Sequence, residues 1–108
     1  HWPAEERHSD AWRQLDRDTW RAMERLYDEG VLRAIGVSNF LPHHLLNLFA
    51  SANIRPMVNE IEFHPGYTQP YVTEFCRKNG IVLEGWSPIG RGREYVILKW
   101  NKHCQKGP

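Results

Sequence analysis

The chain is short of cysteine, of long apolar runs and of net charge, and each shortage removes a class of protein. Two cysteines in 108 residues, Cys76 and Cys104, are too few for a disulfide-held scaffold and suit a reducing compartment, so a cytoplasmic protein is expected. No apolar stretch approaches the roughly 20 residues that span a bilayer, and the first residues show no basic-then-apolar leader pattern. Lysine and arginine number 14 against 13 acidic residues, a formal net charge of +1. That leaves no electrostatic footprint for nucleic acid or a membrane surface. At 41% hydrophobic and 25% charged, the composition is that of an ordinary globular domain of modest size.

What is present has a regular rhythm. Pro3 to Asp16 is polar and reads as a surface loop with at most a short helical turn. Asp18 is a candidate N-cap for a helix in which Trp20, Met23, Leu26 and Tyr27 recur at helical spacing. Gly30 suits its left-handed end. Val31 to Phe40 reads as a buried strand ending in the small polar pair Ser38-Asn39. Pro42 opens a second helix, with Leu45, Leu48, Phe49 and Ala52 as its buried stripe. A second strand runs from Pro56 to Phe63, and a third helix from Thr68 or Gln69 to Asn79, closed by Gly80. Ile81 to Ser87 is a third strand. A basic, glycine-rich loop follows, then a possible helix over Tyr95 to His103.

Strand starts repeat at roughly 25 residues, the spacing of βα units with a parallel sheet. Short apolar strands with polar or small residues at their carboxyl ends suit part of a (β/α)8 TIM barrel, where ligands sit at those ends. A whole barrel needs about 250 residues. This α/β chain therefore reads as a piece of a longer protein. On the residues alone, Ser38-Asn39 is either a helix cap or a binding pair, and Trp86 is either core or site. Glu60 and Glu62 alternate along one strand, which leaves a glycosidase-type carboxylate pair geometrically open, although nothing else in the chain supports it. His43-His44, His64 and His103-Cys104 lack zinc-site spacing, and His43 and His44 are expected on different sides of a helix.

Four segments in order resemble the aldo-keto reductase family. They are His1-Trp2-Pro3, Ile35-Gly36-Val37-Ser38-Asn39-Phe40, Val58-Asn59-Glu60-Ile61-Glu62-Phe63-His64-Pro65 and Gly85-Trp86-Ser87-Pro88-Ile89-Gly90. The helix Thr19 to Leu26 is similar to that of prostaglandin F synthase and diketogluconate reductase type members. The resemblance covers residues 1–92 and implies the barrel from the end of its fourth strand to its seventh, leaving 93–108 as a divergent helical segment. It implies an enzyme that reduces aldehydes and ketones with NADPH, acts on a small carbonyl substrate and is monomeric at full length.

By the same resemblance, His1 is the histidine that orients the substrate carbonyl. Ser38 and Asn39 hydrogen-bond the nicotinamide carboxamide, and Trp86 stacks on its ring. Ser87, Ile89 and Arg91 lie along the pyrophosphate. Glu60 stands where the family usually has glutamine. An ionised carboxylate only accepts hydrogen bonds, and its charge is expected to favour the oxidised, cationic nicotinamide. The family's catalytic tyrosine, lysine and aspartate would lie upstream of His1, so the 108-residue chain is expected to be inactive alone. The alternatives are a non-catalytic binding subunit of the same fold, like the β-subunits of potassium channels, or a truncated product without function.

Overall fold

The structure is a computed structural model that describes residues 1–4 and 9–92. The possible helix over Tyr95 to His103, and Cys104, lie outside those residues.

The first helix, α1, spans Ala11–Asp28 and begins about two turns before the expected N-cap. Its buried residues are Trp12, Asp16, Trp20 and Glu24, one stripe at four-residue spacing. Two of the four are acidic, which hides the stripe from a hydrophobicity pattern. Both acids are buried because backbone N–H groups point at them. Asp16 Oδ1 accepts from Ala4 N–H at 2.8 Å. Glu24 Oε1 accepts from the N–H groups of Asn53 and Ile54 at 2.7 and 2.8 Å. Asp18 is inside the helix rather than capping it, and its carboxylate accepts from Gln14 Nε2. Gly30, at φ 74°, turns the chain out of the helix as the sequence suggests.

Three parallel strands follow: β1 (Gly36–Ser38), β2 (Val58–Glu62) and β3 (Val82–Trp86). They pair in the order β1-β2-β3. Helix α2 (Pro42–Phe49) and helix α3 (Pro70–Lys78) connect them. Each strand is shorter than its apolar run. Pairing starts only at Gly36 opposite Val58, so Val31 to Ala34 stay outside the ladder. A Cβ on Gly36 would lie 2.7 Å from the Val58 carbonyl oxygen, so only glycine fits where β1 meets β2. Among the described residues, no helix is long and apolar enough to cross a membrane.

Alternation along β2 divides the molecule. Asn59 and Ile61 are buried, whereas Val58, Glu60 and Glu62 are only partly so. Ile61 joins Trp20, Ile35, Phe40, Leu45, Leu48, Val72, Cys76 and Ile81 in one apolar cluster between sheet and helices. Trp20 anchors it, with its ring 3% exposed and its indole N–H donating to the Ile54 carbonyl at 2.8 Å. Asn59 is fully buried, and its amide answers the backbone of Phe40, accepting from its N–H at 3.4 Å and donating to its carbonyl at 2.8 Å. The core thereby holds the chain just beyond β1, where the polar pair stands.

Candidate functional site

Register decides which side chains share the face away from the helices. Ser38 is opposite Glu60, and Glu60 is opposite Glu84. One step further, Glu62 is opposite Trp86. Residues two apart on a strand point the same way, so Ser38, Glu60, Glu62, Glu84 and Trp86 all belong to this face. The carboxyl ends of the strands bring the polar groups of three separate segments together.

Asn39 sits at the centre. Its backbone is left-handed, at φ 60°, a conformation asparagine tolerates better than most residues. Its backbone N–H donates to the Glu60 carbonyl at 2.8 Å. The side-chain Nδ2 donates to the His1 carbonyl and to Ser38 Oγ, both at 3.1 Å. The Trp86 indole N–H donates to Asn39 Oδ1 at 2.9 Å. Ser38 Oγ donates in turn to the Glu60 carbonyl at 3.0 Å. Both N–H bonds of the Asn39 amide are thus spent on the protein itself, and among the described residues one lone pair on Oδ1 has no donor.

Beyond β3 the chain turns through three left-handed residues, Ser87, Gly90 and Arg91, at φ 51°, 63° and 54°. This turn folds Arg91 back over the site. Its Nε donates to Ser87 Oγ at 3.2 Å, and its guanidinium lies 5.6 Å from the centre of the Trp86 ring, a cation–π distance. A cavity of about 300 Å³ is lined by His1, Trp2, Glu60, Trp86, Ser87 and Arg91. Five of the eight expected site residues line this one space. Ser38 and Asn39 stand behind it as the tie just described. Ile89 is 75% exposed and does not line it.

Trp2 is a site residue that the sequence reading passed over, and it lines this cavity and two neighbouring ones. Its signal was its place beside His1. A second cavity, of about 260 Å³, is lined in part by Asn39, Glu62, Tyr67, Gln69 and Trp86. The loop after β2 shapes it. Gly66 N–H donates to His64 Nδ1 at 3.2 Å, which leaves the proton on Nε2, 3.3 Å from Glu62 Oε1. Gln69 Nε2 donates to the Glu62 carbonyl. His43 and His44 do not point to different sides of α2. Their rings lie 3.9 Å apart, and both meet the edge or face of Trp12. The reason is local: Leu41 N–H donates to His44 Nδ1, which pulls that ring back over the first turn.

The helix-side cysteine plays no part in this site. Cys76 is fully buried, and burial pushes its thiol up from the ordinary range, only partly offset by a hydrogen bond from Asn59.

Comparison with known proteins adds the family. The model of the aldo/keto reductase family matches residues 1–94. The chain belongs to the aldo/keto reductase family. It is 50% identical over 99 residues to the 9,11-endoperoxide prostaglandin H2 reductase of Trypanosoma cruzi, covering 92% of this chain and 32% of that protein. It is 48% identical over 93 residues to the glyoxal reductase of Bacillus subtilis, covering 86% and 31%. The chain thus spans about a third of the length of these relatives. Among solved structures, an aldo/keto reductase from Brucella melitensis superposes with a TM-score of 0.78 at 37% identity, over 96% of this chain and 39% of that one. A mutant of Gox0644 in complex with NADPH superposes with a TM-score of 0.76 at 36% identity, over 96% and 38%. As in its relatives, the fold is α/β with parallel strands.

Proposed function

We propose that this chain is the section of a (β/α)8 barrel from the end of the fourth strand to the seventh, and that it carries the nicotinamide side of an NADPH-dependent reductase of small aldehydes and ketones. The observation that carries this reading is the cavity where His1, Glu60, Trp86, Ser87 and Arg91 meet. Its chemistry suits a dinucleotide. An indole face offers a flat apolar surface for a heteroaromatic ring. A guanidinium and a left-handed glycine turn suit phosphate oxygens. A carboxylate can accept from an amide NH2.

Bound NADPH would supply the hydride. Trp86 would pack against the nicotinamide ring, held by its hydrogen bond to Asn39. Asn39 Oδ1 has one lone pair left for the carboxamide NH2, and Glu60 stands within the same cavity to accept a further bond. Arg91 would counter the charge of the pyrophosphate and Ser87 would donate a hydrogen bond to it, while the Arg91 guanidinium already stands over the Trp86 ring at 5.6 Å. His1, at the rim, would donate to the carbonyl oxygen of the substrate and set its angle of approach. Orientation of this kind contributes by fixing the reacting groups in place.

The group that protonates the substrate oxygen would come from the rest of the barrel. The 108-residue chain alone should therefore show no turnover of NADPH with glyoxal, the kind of small carbonyl named for one relative. In the whole barrel, NADPH oxidation with glyoxal and quenching of tryptophan fluorescence by NADPH are both expected. A whole barrel that fails to bind NADPH would overturn the proposal. One that binds NADPH but reduces no aldehyde or ketone would instead favour the binding-subunit reading.

A further inference from the structure

We infer that Asn39 is a positioning residue, whose amide ties His1, the end of β1 and the end of β3 together and so holds the Trp86 ring in one orientation beside the cavity. Its consequence for NADPH rests on the function proposed above. Its cause rests only on hydrogen bonds.

An asparagine amide has two N–H donors and two acceptor lone pairs on its oxygen. Here both donors are committed, to the His1 carbonyl and to Ser38 Oγ at 3.1 Å each. One lone pair takes the Trp86 indole N–H at 2.9 Å. The Asn39 backbone N–H adds a fourth tie, to the Glu60 carbonyl at 2.8 Å. One residue thus joins the end of its own strand to three segments that are far apart in sequence.

The tie matters most for Trp86. Among the described residues, β3 pairs on one side only, with β2, so the ladder holds Trp86 from a single direction. Its ring is half-buried and has Arg91 over it at 5.6 Å. An indole carries one N–H, and its acceptor is Asn39. Without that bond the ring can turn about its side-chain torsions, and the face offered to the cavity turns with it.

Residue chemistry explains why asparagine stands here. The position needs φ near 60°, which glycine, asparagine and aspartate accept at low cost. Glycine lacks the amide. Aspartate keeps an acceptor for Trp86 but loses both donors. Asparagine alone among these three supplies the acceptor and both donors.

The test uses the indole N–H resonances of 15N-labelled protein, which need no ligand. The Trp20 indole, donating to the Ile54 carbonyl in the core, is the internal control. Asn39→Gly preserves the backbone conformation and should shift the Trp86 indole resonance and speed its hydrogen exchange by about tenfold or more, with Trp20 unchanged. Asn39→Asp should leave Trp86 exchange within about threefold of wild type, because an oxygen acceptor remains. A Trp86 indole that is indifferent to Asn39→Gly, or that responds equally to both variants, overturns the inference. If the glycine variant does not fold, Asn39→Ala, which also deletes the acceptor, takes its place: faster Trp86 exchange with Trp20 unchanged supports the inference, and unchanged Trp86 exchange refutes it.

NADPH affinity supplies the second readout. Asn39→Gly and Trp86→Phe should each weaken binding, and the double variant should lose clearly less than the sum of the two, since both remove the indole–amide bond although each residue also has its own proposed contact with the nucleotide. Additive losses would mean that Asn39 does not act through Trp86. Should wild type bind no NADPH while the indole responds as stated, the positioning role stands and the nucleotide reading alone fails.

Discussion

The two faces of one three-stranded sheet have opposite characters, although the same strands build both. On the helix side, Asn59, Ile61 and Leu45 are 0–2% exposed, and the polar atoms of Asn59 are answered by the backbone of Phe40. On the other side, Val82 is 63% exposed, and a row of Ser38, Glu60 and Glu84 ends in a cavity. Burial favours the first face and leaves the second free for chemistry. Period-two alternation lets a strand serve both purposes at once, because changing one residue leaves its neighbours on the opposite face in place.

This contrast is open to direct attack. Trp20→Ala on the helix face removes the largest anchor of the core and should lower unfolding free energy by about 3–5 kcal/mol, read by urea denaturation. Asn59→Ala should cost about 2–3 kcal/mol by the same measurement, since it strands the Phe40 N–H and carbonyl in the interior. Loss from Asn59→Ala should also reach the Asn39 network, one residue away from Phe40.

Substitutions on the open face should do the reverse, changing binding with little effect on stability. Glu60→Gln should alter stability by less than about 0.5 kcal/mol. If Glu60 stands beside the nicotinamide as proposed, removing its carboxylate should shift the ratio of NADP⁺ to NADPH affinity roughly tenfold toward NADPH, measured by paired titrations. An unchanged ratio would show that the Glu60 charge does not reach the ring. Arg91→Ala should weaken NADPH binding a few-fold, on the order expected for one exposed charge-assisted contact, and should flatten its salt dependence. Smallest of all is the effect on Cys76. Because burial raises its pKa, the native thiol stays protonated where the unfolded one ionises. Alkylation at pH 8 should be slower in the folded chain than in urea, by mass spectrometry, and the contribution of the thiol to stability should be intact below pH 9.0 and fade as pH rises above it toward the raised value of the buried thiol.

Much of this was legible in the residues, and the exceptions share a cause. The order of helices and strands followed from apolar periodicity and from Gly30 and Gly80, which do take left-handed backbone. Apolar periodicity misses the first two turns of α1 because Asp16 occupies their buried stripe beside Trp12, and its burial depends on a backbone donor at Ala4. No local pattern announces a partner so far along the chain. Apolar runs overstate the strands because they show which residues dislike water, not where a neighbouring strand begins to pair. Ser38-Asn39, Glu60 and Trp86 stand out in the sequence as candidates through the family resemblance, while residue type and spacing alone leave them open. That Asn39 would spend both amide hydrogens inside the protein was beyond reach of either.

Composition, glycine placement and apolar spacing were enough to establish a parallel α/β chain with its polar groups at the strand ends. These are properties of single residues and near neighbours, and the physics that reads them is local. The meeting of His1, Asn39, Glu60 and Trp86 was settled by strand register and by hydrogen bonds between segments that lie up to 47 positions apart. Those are properties of the folded chain, since a hydrogen bond exists only where both of its ends have been brought together.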